Sequence, residues 1–268
     1  MRRSNDIGIS SILFIASLIL TPWSVCAQVK SSAAHSGNAV VRVPSVGCAS
    51  DGQVGPVKAP TLQDKAVAIP AAVAGRPAYY QAEDGIGVLA PRGWHCFGTY
   101  GSNGEILYVG ADPINPADLF STDWTGFAGP VIQVSSLVGD TYGRFAVART
   151  IARVFPTHKA FVRRVIAEGI EPASSFPYGP YAKDTLNYRS KNIVEFQPPA
   201  FAEGLGTASR LQMNGNPIKG VAILFGDEPN LLQLCVRLSP ETADLAQLII
   251  QQTEREAALF GSDEGHRK

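Results

Sequence analysis

The chain has 268 residues, with 23 basic and 23 acidic side chains and a formal net charge of +0. Bulk charge therefore gives no basis for holding nucleic acid or an anionic membrane. The length suits one large domain, or a domain with a tail.

The N-terminus points to export. Arg2 and Arg3 precede a short apolar run, "ISSILFIASLIL", and "TPWSVCAQ" then places Val25 and Ala27 at the small positions before Gln28. That order predicts a signal peptide over residues 1–27, cleaved after Ala27, and a mature chain in the periplasm or the medium. The run is too short for a membrane span, which needs about 20 apolar residues. Cys26 follows Trp23, Ser24 and Val25, which argues against a lipid-modified cysteine. Removing the signal leaves 21 basic and 22 acidic side chains, so the mature chain stays close to neutral.

Residues 28–60 are rich in Gly, Ser, Pro and Val and carry no useful period. They are expected to be a mobile leader to about residue 45, then an irregular anchored segment. A single α+β domain is expected over 61–268, with a ragged C-terminal tail. Within it, 62–83 suggests helix punctuated by Pro70 and Pro77, and "GVLAPRGW" a strand entering a turn. Asn103-Gly104 between strand-like flanks predicts a hairpin in "FGTYGSNGEILYVGA". A short helix is expected over 115–122, and a strand in "PVIQVSSLV", where Val131, Gln133 and Ser135 alternate with Ile132, Val134 and Ser136.

Phe145, Ala148, Ile151, Ala152 and Phe155 recur at helical spacing until Pro156. Thr157 should cap a second helix that carries Phe161, Val165 and Ile166 and ends at Gly169. The second half predicts strands in "TLNYRS" and "NIVEFQ", and a hairpin in "ASRLQMNGNPIKGVAILFG" around Asn214-Gly215. A strand in "NLLQLCVRL" places Leu232, Leu234, Val236 and Leu238 on one face. Ser239 and Pro240 should open a last helix over 240–260, with Leu245, Leu248 and Ile249 inward. Hairpins with helices grouped between them predict an α+β fold with a mainly antiparallel sheet between helices.

This order resembles the PsbP-like fold over residues 86–258. A strand enters Pro91-x-Gly93-Trp94, then come a hairpin, the "VIQV" strand, a helix, paired strands and a helix after "LCVRLSPE". The wording of "GWHCFGTYGSNG" and "EGLGTAS" is also similar to secreted or periplasmic proteins of Gram-negative bacteria. The PsbP likeness implies binding or assembling other proteins, and it carries over no catalytic residue.

Cys48, Cys96 and Cys235 remain after cleavage, and an exported protein favours one bridge. Cys48 sits in "GCASDGQVGP", where a free thiol would be exposed, whereas Cys235 lies mid-strand and can be buried as a thiol. A Cys48–Cys96 disulfide is expected, with Cys96–Cys235 as the alternative. Closing a loop of about fifty residues stabilises by about 4 kcal/mol in the chain-entropy account. His95 beside Cys96 is a weak nucleophilic pair, because neighbours on a strand face opposite ways. His158 is a distant candidate base.

No HExxH, CxxC or EF-hand pattern is present, so neither a cofactor nor a metal is implied. Asp112, Asp118 and Asp123 suit turns and helix caps better than a cation. The lone Gly-x-Gly of "EGLGTAS" suits a bend better than an anion cradle. Arg149, Arg153, Arg163 and Arg164 make a basic face. Two aromatic segments remain as candidate binding residues: Trp124 and Phe127 in "FSTDWTGFAGP", and Phe176, Tyr178 and Tyr181 in "SSFPYGPY". The alternative for both is that the rings cover the ends of the core. The expected function is a non-enzymatic periplasmic binding or interaction protein, such as an envelope assembly factor, an inhibitor or an immunity protein. Its partner would be another envelope or periplasmic protein. The rival is a hydrolase of cell-envelope material.

Overall fold

The structure is a computed structural model and describes residues 39–83 and 85–264. The expected signal peptide over 1–27 lies outside the described residues, as does the leader up to residue 38. Strands β1 (Ala39–Val43), β2 (Ser45–Gly47), β3 (Ser50–Gly52), β4 (Lys65–Ile69), β5 (Pro77–Gln81) and β6 (Val88–Pro91) come first. The hairpin β7 (His95–Gly101) and β8 (Gly104–Gly110) follows, then α1 (Pro116–Phe120) and β9 (Val131–Leu137). Helices α2 (Arg144–Val154) and α3 (Lys159–Ala167) precede β10 (Thr185–Ser190), β11 (Ile193–Gln197), β12 (Lys219–Phe225) and β13 (Asn230–Arg237). The last helix is α4 (Ala246–Glu264).

An eight-stranded sheet of order β10-β11-β12-β13-β9-β8-β7-β3 organises the domain. A three-stranded sheet, β2-β5-β6, and a two-stranded ribbon, β1-β4, accompany it. The fold is α+β, and its sheets are mixed: the strand pairs are mainly antiparallel, as expected, but two are parallel. β3 runs parallel to β7, and β2 parallel to β5. Both parallel pairs arise because the segment after residue 44 returns alongside strands laid down later, rather than through a tight hairpin.

Alternation builds both faces of the central sheet. Leu232, Leu234 and Val236 of β13 join Ile132 and Val134 of β9 against Leu245, Ile249 and Ile250 of the C-terminal segment. Leu231 and Cys235 point the other way, into Phe145, Ile151, Phe161 and Val165 of α2 and α3. A strand buried on both faces contributes apolar area twice, at about 25 cal/mol per Å² removed from water. The helix pair follows its stripe. Phe155, before Pro156, sits at φ −120° and ψ 74°, because a residue preceding proline is pushed out of the helical region. Gly169, at φ +68°, ends α3. Residues 156–158 form a 3₁₀ turn, and Thr157 makes no cap there.

Turn chemistry sets the β7–β8 hairpin. Gly101 pairs with Gly104, so Ser102 and Asn103 form the loop. Gly104 sits at φ +123°, and a Cβ there would lie 2.0 Å from the Ser136 carbonyl oxygen. Only glycine allows β9 to close on this hairpin.

Three expectations fail for reasons of long-range pairing. Residues 39–43 are not leader: β1 pairs antiparallel with β4, and Val43 is fully buried. Residues 62–83 form two strands, with a 3₁₀ turn at Ala71–Val73 and no α-helix. Val67 and Ile69 alternate with exposed Ala66, a period of two that suits the strand partner supplied from upstream. Residues 208–213, before Asn214-Gly215, do not form the first arm of a hairpin. Leu205–Ala208 is a 3₁₀ turn, and the backbone of 210–212 pairs with Phe127 instead. The last helix also begins differently, with 3₁₀ geometry over Pro240–Leu245 before α4.

Candidate functional site

The disulfide joins Cys48 to Cys96, with a Cα–Cα distance of 5.4 Å. It pins the β2–β3 connection to β7, next to the parallel pairing of Ser50 with Gly98. Cys235 is a buried free thiol. The segment around His95 and Cys96 is therefore stapled architecture, and His95 is exposed. His158 lies 2.9 Å from Asn192 through Nε2.

A polar cleft of about 490 Å³ lies between the sheet and α2. β9 supplies its floor. Gln133 and Ser135 are both buried and point to the α2 side, where Gln133 Nε2 donates to Ser135 Oγ at 2.9 Å. Arg210 N donates to Gln133 Oε1, also at 2.9 Å. Gln233 pairs opposite Ser135 and extends the floor across β13, while Cys235, opposite Gln133, belongs to the buried core. Gln233 Nε2 donates to the Leu205 carbonyl at 3.4 Å. Burial pushes the Cys235 thiol up to about 11, so it stays protonated at neutral pH.

Helix spacing supplies one wall, because Ala146, Arg149, Thr150 and Arg153 share one face of α2. The segment after α3 supplies the other, through Ser174, Ser175, Pro177 and Tyr181. The Arg153 guanidinium stacks 4.1 Å above the Tyr181 ring and donates to the Gly179 carbonyl at 3.3 Å. Arg149 is paired with Glu171 at 2.7 Å. Among the described residues Arg153 makes no such ion pair. The field of Arg153 reaches Asp184, whose pKa is nonetheless raised, with burial the largest cause. Asp184 Oδ2 accepts from Leu205 N at 2.8 Å, while the buried Oδ1 has no hydrogen-bond partner. The backbone at "EGLGTAS" thus serves an internal carboxylate rather than an external anion.

The five aromatic candidates separate. Tyr181 is half-buried in the cleft wall and Tyr178 is exposed nearby, with Lys159 Nζ 5.7 Å from its ring. Phe176 is 1% exposed and belongs to the core; it anchors the segment that carries the two tyrosines. Phe127 packs against the same core, with its ring 5.4 Å from Tyr108. Trp124 meets Phe127 edge-on at 4.8 Å and lies under Arg210, 5.8 Å away. Thus Phe176 and Phe127 act chiefly in packing, and Tyr181 is the candidate that lines the cleft.

Of the basic face, Arg164 pairs with Glu228, whereas Arg163 is exposed. Asp118 accepts from Asn115 Nδ2 at 3.0 Å beside the cap of α1, and Asp123 N bonds Ser121 Oγ. These two carboxylates sit in a cap and a turn. Among the described residues no group of three His, Cys, Asp or Glu side chains is placed to hold a metal.

Sequence reasoning missed Gln133, Ser135, Thr150, Ser209 and Gln233. Their signal was present in part: a polar side chain recurs on one face of strands that are otherwise apolar. Comparison with protein-family models, curated proteins and solved structures finds no match to this chain.

Proposed function

We propose that this is a non-enzymatic binding protein of an oxidising, extracytoplasmic compartment. It grips an acidic or acceptor-rich group of another envelope or periplasmic protein in the polar cleft. The observation that carries this reading is Arg153. Its guanidinium has five N–H donors, is held flat by Tyr181 and Gly179, and lacks an ion-pair partner among the described residues. Around it stand hydroxyls and amides that can both donate and accept. This chemistry supports holding a guest. Hydrolysis would call for a nucleophile beside a base, and the buried Cys235 thiol nearby is protonated at neutral pH. The Cys48–Cys96 bridge fits an oxidising compartment. No helix among the described residues is long and apolar enough to cross a membrane.

The test is photo-crosslinking in periplasmic extract with a reactive residue in place of exposed Tyr178. A single protein adduct that is lost on Arg153→Ala is the expected result. An adduct indifferent to Arg153 overturns the site. Release of soluble product from cell-envelope material overturns the class.

A further inference from the structure

The reverse face of the same strands carries a second cleft, of about 390 Å³. Gln133 and Ser135 face α2, while Val134 and Ser136 line this other side with Leu107 of β8. Ile86, Val57, Val54 and Val138 complete its apolar wall. The volume lies within the range of small-molecule sites, about 300–1,000 Å³. Its floor is flat at Gly98, where a Cβ would meet those of Ser50 and Ala82 at 3.0 and 3.4 Å.

The rim is held in place. Ser50 and Val57 exchange two backbone hydrogen bonds, at 3.0 and 2.7 Å. Gln53 N donates to the Tyr100 carbonyl at 3.3 Å, Ser102 N to Gln53 Oε1 at 3.0 Å, and the Tyr100 hydroxyl to the Gly55 carbonyl. Val54 is nevertheless 86% exposed. Val54 thus adds an exposed apolar side chain to the edge of the apolar cleft.

Charge selects the guest. Among the described lining residues the charged side chains are Glu83 and Glu105, both acidic. Glu105 Oε1 accepts from Ile86 N at 3.2 Å, which holds its carboxylate at the cleft. Glu83 is exposed. We propose that this cleft binds a small amphiphile with an apolar body and a cationic head. The body lies against Leu107 and Val134, and the head sits at the exposed carboxylate of Glu83. The site is independent of the polar cleft and of the reading built on it.

Calorimetric titration of the disulfide-bonded chain with decylamine, below its micelle concentration, tests this, with decanoate as the charge control. Saturable binding of decylamine is expected, with decanoate weaker by about tenfold or more. Ser136→Phe, which fills the cleft, should weaken decylamine binding by about tenfold or more, and Glu83→Lys should shift preference toward decanoate. Hydrogen exchange on the unaltered protein serves if the Phe variant does not fold: decylamine should protect residues 54–57 and 86. No saturable binding, or protection elsewhere only, overturns the site. Equal affinity for the two amphiphiles overturns the cationic assignment.

Discussion

Arg237 is fully buried at the end of β13 and donates from Nη1 to the Phe127 carbonyl at 3.0 Å. The same guanidinium reaches the Ala128 carbonyl at 3.3 Å and the Gln212 carbonyl. Burial pulls its pKa below the usual arginine value, and it forms no ion pair among the described residues. One planar fork thus ties two irregular segments, 127–128 and 210–212, to the sheet. Arg237→Ala removes the fork and leaves three carbonyls without it. A loss of about 3 kcal/mol or more in urea unfolding is expected. Arg237→Lys should recover only a minor part, since an ammonium cannot reproduce the planar fork.

The disulfide likewise ties irregular backbone to the sheet, here at its β3 edge. Cys48→Ala combined with Cys96→Ala should cost about 4 kcal/mol. Because β3 is the edge strand and, among the described residues, joins the sheet through its parallel pairing with β7, exchange at residues 50–57 should rise before exchange in β9. Equal rises in both strands would show that the bridge acts on the whole domain and not on its edge.

Neighbouring aromatics in one loop should behave oppositely. Phe176→Ala creates a cavity in the core and should cost about 3–5 kcal/mol. Tyr178, which is 47% exposed, should leave the melting temperature nearly unchanged when replaced by Ala. Thermal denaturation of the two single variants decides the matter. A strongly destabilised Tyr178→Ala would return that ring to the fold and remove it from the cleft's surroundings.

Glu254 titrates against the fold. Its pKa is raised by burial and by Glu195, only partly offset by Arg189 and Arg255, and its Oε1 is buried without a hydrogen-bond partner. A carboxyl whose folded pKa is raised favours the folded state when protonated. That contribution is whole below the unfolded value, about 4.3, and is lost as pH rises through the folded value. Glu254→Gln should therefore raise the melting temperature at pH 7, and the gain should shrink toward pH 4. A gain that grows in acid would reverse the sign and refute this account.

Local periodicity was enough for the elements that carry their own signal. β13 shows period two on both faces, α2 repeats at three and four residues, and Asn103-Gly104 marks a hairpin. The pairing of Cys48 with Cys96 was also legible, because an isolated polar segment cannot bury a thiol whereas a strand such as β13 can. What sequence alone could not supply were interactions whose partners lie far along the chain. Residues 65–69 become a strand because 39–43 pair with them. The backbone of 210–212 forgoes a hairpin because Phe127 pairs with it and Arg237 draws on its carbonyl. The fates of Phe176 and Tyr178, two positions apart, depend on which side of their loop meets α2 and α3. Gln133, Thr150, Arg153, Tyr181 and Ser209 form one cleft only after β9, α2 and two loops have packed. Convergence of this kind is tertiary, since no local period encodes the distance between residues separated by a whole sheet crossing.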